Sequence, residues 1–287
     1  TNRIANTASL TLKGGTFEFK GRSATASTET IGSVLLTANR SIFKNTSGGG
    51  GGTVVLTAAD LTPSNGATVD FQGNFGSATN QILFTTTAPT LTPATLPDGI
   101  LPYATSNSGA DFATYDATNG NAADGANGVE TFAAYYTAGT PNVIDSAPDG
   151  ANVKITANDT MTKNRAGTGG AAGDNRLNSL LILGGTNVTV SGAFTLELAS
   201  GTLISTGTTP SLSASTILAF GSASGYLAPT ASTLTINGQI TGTGGLTKAG
   251  AGTLTLSATA NSYSGATLVA LALVYRVMGP WPVWSGK

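Results

Sequence analysis

Residues 181–190 read LILGGTNVTV: Leu181-Ile182-Leu183, the pair Gly184-Gly185, then Val188-Thr189-Val190. Apolar residues recur with period two on either side of the glycines, as in strands with one buried face, and the glycines read as a corner between them. The same construction appears twice more. Leu10-Thr11-Leu12 leads through Gly14-Gly15 into Phe17-Glu18-Phe19, and Leu246-Thr247-Lys248 leads through Ala249-Gly250-Ala251-Gly252 into Leu254-Thr255-Leu256. Three strand–corner–strand units of similar size imply one repeated construction.

Further short strands are predicted at Ser33–Thr37, Thr53–Thr57, Thr68–Phe71, Gln81–Thr85, Asn152–Thr156, Phe194–Leu198, Gly201–Ser205 and Ser232–Ile236. No amphipathic pattern of helical period persists for three turns, and the Ala-rich run Ala122–Tyr136 is too interrupted by glycine to hold a stable helix. Strands of this length suit a sandwich, a barrel or a solenoid. Glycine corners between equal strands, with Thr and Asn outside to ladder from rung to rung, favour the solenoid. The predicted fold is all-β: a right-handed parallel β-helix with a loop-rich insertion in the middle. At roughly 20–25 residues per rung the chain would make about 12 rungs, fewer if the insertion is long.

The expected organisation is an N-terminal solenoid part over 1–87, a loop-rich acidic insertion or small subdomain over 88–175, a second solenoid part over 176–268 and an atypical apolar tail over 269–287. The insertion holds six of the 11 prolines, many Asp and Asn residues, and Tyr103, Tyr115, Tyr135 and Tyr136. Gly48–Gly52 reads as a turn rather than a phosphate loop, because no Lys-Ser/Thr follows it.

Composition narrows the chemistry. Charged residues make up 9% of the chain and aromatics 7%, so the surface must be built from Thr, Ser, Asn and Gly. Cysteine and histidine are both absent. That removes disulfides, thiolate nucleophiles, the commonest general base and the commonest transition-metal ligand. The net charge of −1 hides a segregation: residues 1–44 carry +4, 45–153 carry −9 and 154–287 carry +4. No segment is basic enough for nucleic acid, and the longest apolar run, Ala266–Tyr275, is too short for a membrane-spanning helix.

At Asn237–Val269 the sequence NGQITGTGGLTKAGAGTLTLSATANSYSGATLV resembles the autotransporter-associated β-strand repeat. Gly245-Leu246-Thr247-Lys248, Gly250, Gly252–Ser257 and Asn261-Ser262-Tyr263-Ser264-Gly265 fill that pattern. The resemblance implies a passenger segment of a bacterial surface protein, folded as parallel β-helix and exposed outside the cell. It implies no catalytic residues and no cofactor. After Val269 the sequence departs from the pattern.

Other readings compete. Some β-helix proteins are polysaccharide lyases or hydrolases, and Asp111 and Asp116 are the nearest approach to the paired carboxylates such enzymes need. Asp116, Asn119, Asn121 and Asp124 offer oxygen ligands for calcium in a Gly-rich loop, although turn-forming Asx residues produce the same spacing. Tyr115, Tyr135, Tyr136, Trp281 and Trp284 could stack on a sugar or a partner protein, or simply cover a core. Asn45, Asn158 and Asn187 head formal glycosylation sequons.

A solenoid exposes strand edges at its ends, and no capping segment is legible in Thr1–Leu12. The apolar tail therefore suggests self-association, with Val269, Leu271, Leu273, Tyr275, Trp281 and Trp284 in the contact. The expected partners are the chain itself and surface carbohydrate or another cell-surface protein.

Overall fold

The structure is a computed structural model and describes residues 3–64, 66–94, 99–117, 127–167, 175–184, 187–230, 233–270 and 275–277, the last three as backbone only. It is nearly all β, 3% helical, with parallel sheets stacked into a β-solenoid of about 10 turns. Each strand expected from period-two alternation overlaps an observed one, although Phe194–Leu198 and Gly201–Ser205 merge into Thr195–Thr206 and Leu181–Leu183 is the end of Leu177–Leu183. The turn count falls short of 12 because part of 88–175 pairs antiparallel and adds no rung: Asp111–Asp116 runs antiparallel to both Ala104–Ser106 and Gly128–Thr131.

The rungs form two stacks. In the first, Leu10–Leu12, Val34–Leu36 and Leu61–Pro63 make one face. Gly15–Lys20, Arg40–Thr46, Thr68–Gly73 and Ala104–Ser106 make a second. Ser27–Thr30, Val54–Ala58 and Asn80–Phe84 make the third. Equivalent positions lie above one another, so an inward residue meets its counterpart one rung on. Phe17, Phe43 and Phe71 form such a ladder, with ring centroids 5.2 and 6.1 Å apart.

In the second stack the long strand Thr195–Thr206 turns a corner. Its start pairs with Ile217–Ala219 and its end lies between Leu177–Leu183 and Gly225–Pro229. Inward ladders here are aliphatic: Leu180, Leu203 and Leu227 on one face, Val190, Leu212, Ile236 and Leu256 on another, Leu196, Leu218 and Ile240 on the third. A Cβ at Gly207 (φ +93°) would overlap the carbonyl oxygen of Gly184 on the neighbouring rung, so this corner accepts only glycine.

The two stacks lie side by side. Asn178 Nδ2 donates to the Thr92 carbonyl at 2.7 Å, Thr202 Oγ1 to the Pro102 carbonyl at 2.9 Å, and Arg40 N–H to the Ala270 carbonyl at 2.8 Å. Moving forward along the second stack from Asn178 to Ala270 means moving backward along the first, from Thr92 to Arg40. The stacks are therefore antiparallel neighbours. Ile100, Phe112 and Phe132 of the antiparallel hairpin region cover the outer ladder Leu181, Ile204, Ala228 and Ala249. Burial on both faces marks this seam, as at Thr68–Phe71 and Leu177–Ile182, where every residue is buried.

Candidate functional site

The last described rung is the most distinctive part of the surface. Ser262–Tyr263, Thr267–Val269 and Tyr275–Val277 each pair with the preceding rung on one side only. Each of the three is terminal in its sheet order among the described residues. Thr267–Val269 is exposed on both faces, and Leu268 and Val269, 39% and 38% accessible, are the exposed large apolar residues among the described ones. Unpaired edges and exposed aliphatic side chains together form a surface ready to accept another strand.

Local sequence explains this geometry. Asn261 Oδ1 accepts the Ile240 N–H at 2.8 Å and fixes the corner before the rung, and Tyr263 OH meets Thr267 Oγ1 at 2.8 Å across the next. Gly250 (φ +69°) runs so close to the Pro229 carbonyl that a Cβ would collide with it. Lys248 occupies the ladder position of Leu180, Leu203 and Leu227 and stacks beneath Val269. It is fully buried, and its Nζ donates to the Gly250 carbonyl at 2.7 Å. Loss of water, and then the nearby Arg40 charge, push its pKa down to about 8. Arg40 itself is matched: its guanidinium lies 2.6 Å from buried Asp70, which also accepts from Thr105 Oγ1 at 2.8 Å.

The opposite end is covered in part. Backbone N–H groups of Arg3 and Ile4 donate to the Glu29 carboxylate at 3.0 to 3.1 Å, and the Arg3 guanidinium lies 5.2 Å from the centre of the Phe19 ring. Gly32 N–H bonds to the Ala8 carbonyl at 2.9 Å. Residues 3–8 thus strap Ser27–Thr30, while Leu10–Leu12 and Gly15–Lys20 remain terminal in their sheets among the described residues. The expectation of an uncapped beginning is corrected for that one strand. The available signal was Glu29, a carboxylate at an inward position of a strand whose next rung places Leu56 there.

The residues singled out in the sequence scatter. Asp111 and Asp116 sit at opposite ends of one strand, roughly 16 Å apart at the usual rise, beyond the span of a glycosidase pair. Asp111 accepts from Asn107 Nδ2 at 3.0 Å, and Asp116 is buried. Asn119, Asn121 and Asp124 lie outside the described residues. Among the described residues no group of three or more acidic side chains is placed to hold a metal ion.

Tyr115 is buried, its hydroxyl donating to the Phe84 carbonyl at 2.7 Å and accepting the Phe84 N–H at 2.8 Å, so it clips two strands together. Tyr135 and Tyr136 are half-buried beside the start of the second stack. Of the sequons, Asn45 is fully buried and donates to the carbonyls of Val54 and Gln81, which bars it as a glycan acceptor, whereas Asn158 and Asn187 are exposed. Of the residues expected at a contact, Val269 lies on the open rung and Tyr275 begins its last strand; Leu271, Leu273, Trp281 and Trp284 fall outside the described residues.

Residues 246–270 match the family model of the passenger-associated-transport-repeat. The match covers four strands, from Leu246–Lys248 to Thr267–Val269, and all but its last residue falls within the stretch whose strand-pair pattern resembled the autotransporter-associated repeat. That repeat, in a β-solenoid, fits a passenger segment of a surface protein and implies a secreted or surface location. Among curated proteins and solved structures nothing matches the chain.

Proposed function

We propose that the chain is a non-catalytic structural and adhesive segment of a bacterial surface protein that associates with copies of itself through its last rung. The observation that carries this reading is the last described rung, where two strands of the matched repeat and Tyr275–Val277 beyond it are each terminal in their sheets among the described residues, with Leu268 and Val269 exposed. Separation of Asp111 from Asp116 leaves the alternative, a carbohydrate-active β-helix enzyme, without the carboxylate pair that its sequence suggested.

Self-association can take two forms. Stacking the last rung of one copy on the first rung of the next is a heterologous contact and would propagate as a fibre. It requires the strap of residues 3–8 to leave Glu29. Pairing of two last rungs about a two-fold axis closes at a dimer and leaves the strap in place. The experiment is light scattering and electron microscopy of the full chain and of a chain lacking residues 268–287. Rods joined end to end, or dimers, that revert to single particles on the deletion support the proposal. A full chain that stays monomeric at high concentration, or assembly that survives the deletion, overturns it.

A further inference from the structure

A second surface feature lies at the junction of the stacks. Tyr135, Tyr136, Asp149, Gly150, Ala151 and Asn152 line an open bowl of about 380 Å³, within the size range of small-ligand clefts. Its walls are fixed from behind. Tyr136 N–H donates to the Asn152 carbonyl at 2.8 Å and the Tyr136 carbonyl accepts from Lys154 N–H at 3.0 Å, which fastens this tyrosine to the first rung of the second stack. Asn152 Oδ1 accepts from Asn178 Nδ2 and Ser179 Oγ, each at 2.6 Å. The opposite wall is a turn closed by Ala151 N–H on the Pro148 carbonyl at 3.2 Å and held by Gly150 N–H on the Arg176 carbonyl at 2.8 Å. Such a site needs little ordering on binding.

Charge decides what it would take. Lys154 Nζ already lies 5.3 Å from the centre of the Tyr135 ring, so a cationic ligand is repelled from that aromatic face. Asp149, 43% exposed at the rim, repels an anion, while buried Arg165 at 3.7 Å balances its charge and donates to the neighbouring Pro148 carbonyl. What remains is a neutral ligand with a C–H face for a phenol ring and hydroxyl donors for a carboxylate and backbone carbonyls.

We infer that this bowl binds a neutral pyranose sugar, with Tyr136 as its stacking platform and Asp149 as acceptor for its hydroxyls. Saturation-transfer NMR tests this on the full chain in dilute solution, with methyl β-D-glucopyranoside, methyl β-D-galactopyranoside and N-acetylglucosamine as probes. Self-association does not enter the readout, so this inference and the proposed function stand or fall separately. The expected result is transfer to the ring protons of at least one probe at millimolar affinity, as suits a single-ring ligand. Tyr136→Phe keeps the signal, and both Tyr136→Leu and Asp149→Asn reduce it several-fold. If Tyr136→Leu fails to fold by circular dichroism, the exposed Asp149→Asn decides alone. No transfer to any probe in the unmodified chain, or transfer unchanged by Asp149→Asn, overturns the inference.

Discussion

The first stack adds Phe19, Phe43, Phe71 and Phe84 to a core of leucine, isoleucine and valine, whereas the second stack's core is leucine, isoleucine and valine with Phe220 and Met161. Their rungs also differ in length. Paired positions lie 24 to 28 residues apart over the first three rungs of the first stack, and in the second stack, after an opening interval of 27 to 31, only 20 to 24 apart. Interiors pack to nearly constant density, so a longer rung that encloses a wider section must be filled by larger side chains. Rung length and core residue size are two readings of one constraint.

The sharpest way to break that comparison is to truncate matched ladder residues. Phe71→Ala should cost about 3–5 kcal/mol and Leu227→Ala about 2–4 kcal/mol, the phenylalanine more because it leaves the larger cavity. Urea unfolding measures both. A leucine truncation that costs as much as the phenylalanine would refute the link between section and side-chain size.

Lys248 interrupts the aliphatic ladder, and a smaller effect follows. Its pKa in the folded chain is about 8 against an ordinary 10.5, so below pH 8 both folded and unfolded states carry the proton and the folded state bears the desolvation cost. Between about pH 8 and 10.5 the folded state releases its proton first, and stability rises with pH across that window. Lys248→Met should stabilise the chain at pH 7 by on the order of 1–3 kcal/mol and flatten the rise, as read from denaturation midpoints at pH 7 and 9.

The smallest expected effect concerns the strap. Glu29→Gln keeps an acceptor for the Arg3 and Ile4 amides but removes the charge that strengthens those bonds, for a loss of about 1 kcal/mol. Hydrogen exchange should quicken at those two amides and leave the core of the second stack, at Leu203 and Leu227, unchanged. Equal acceleration in both places would mean that the strap and the far stack open as one unit.

Strands were legible because period-two alternation reports local geometry directly: LILGGTNVTV places Ile182 and Val190 inside, on strands that end at Leu183 and begin at Thr189. Juxtaposition of the stacks was not legible. The outer ladder buried in the seam is Ile204, Ala228 and Ala249, and two alanines in a row of outward positions look the same whether solvent or another rod covers them. The strap escaped notice because its donors are backbone N–H groups, and Glu29, its side-chain signal, marks an inward position only once the register with Leu56 is known. Lys248 was visible as part of a repeat pattern, but its burial depends on Val269 lying over it one rung later. Buried Asn45 shows the converse, a sequon whose local sequence says nothing about access.

The antiparallel arrangement of the stacks has a mechanical meaning. Arg40 meets Ala270 near the end of the molecule that also holds the first rung and the last, while Phe112 and Phe132 close the far end. A tension applied between residues 3 and 277 would therefore meet the seam as a zipper, loading the Arg40–Ala270 bond first and the contacts toward Asn178 and Thr92 in turn. Bonds broken singly yield at lower force than bonds sheared together. A pull applied at that end would therefore part the seam contacts one after another rather than together.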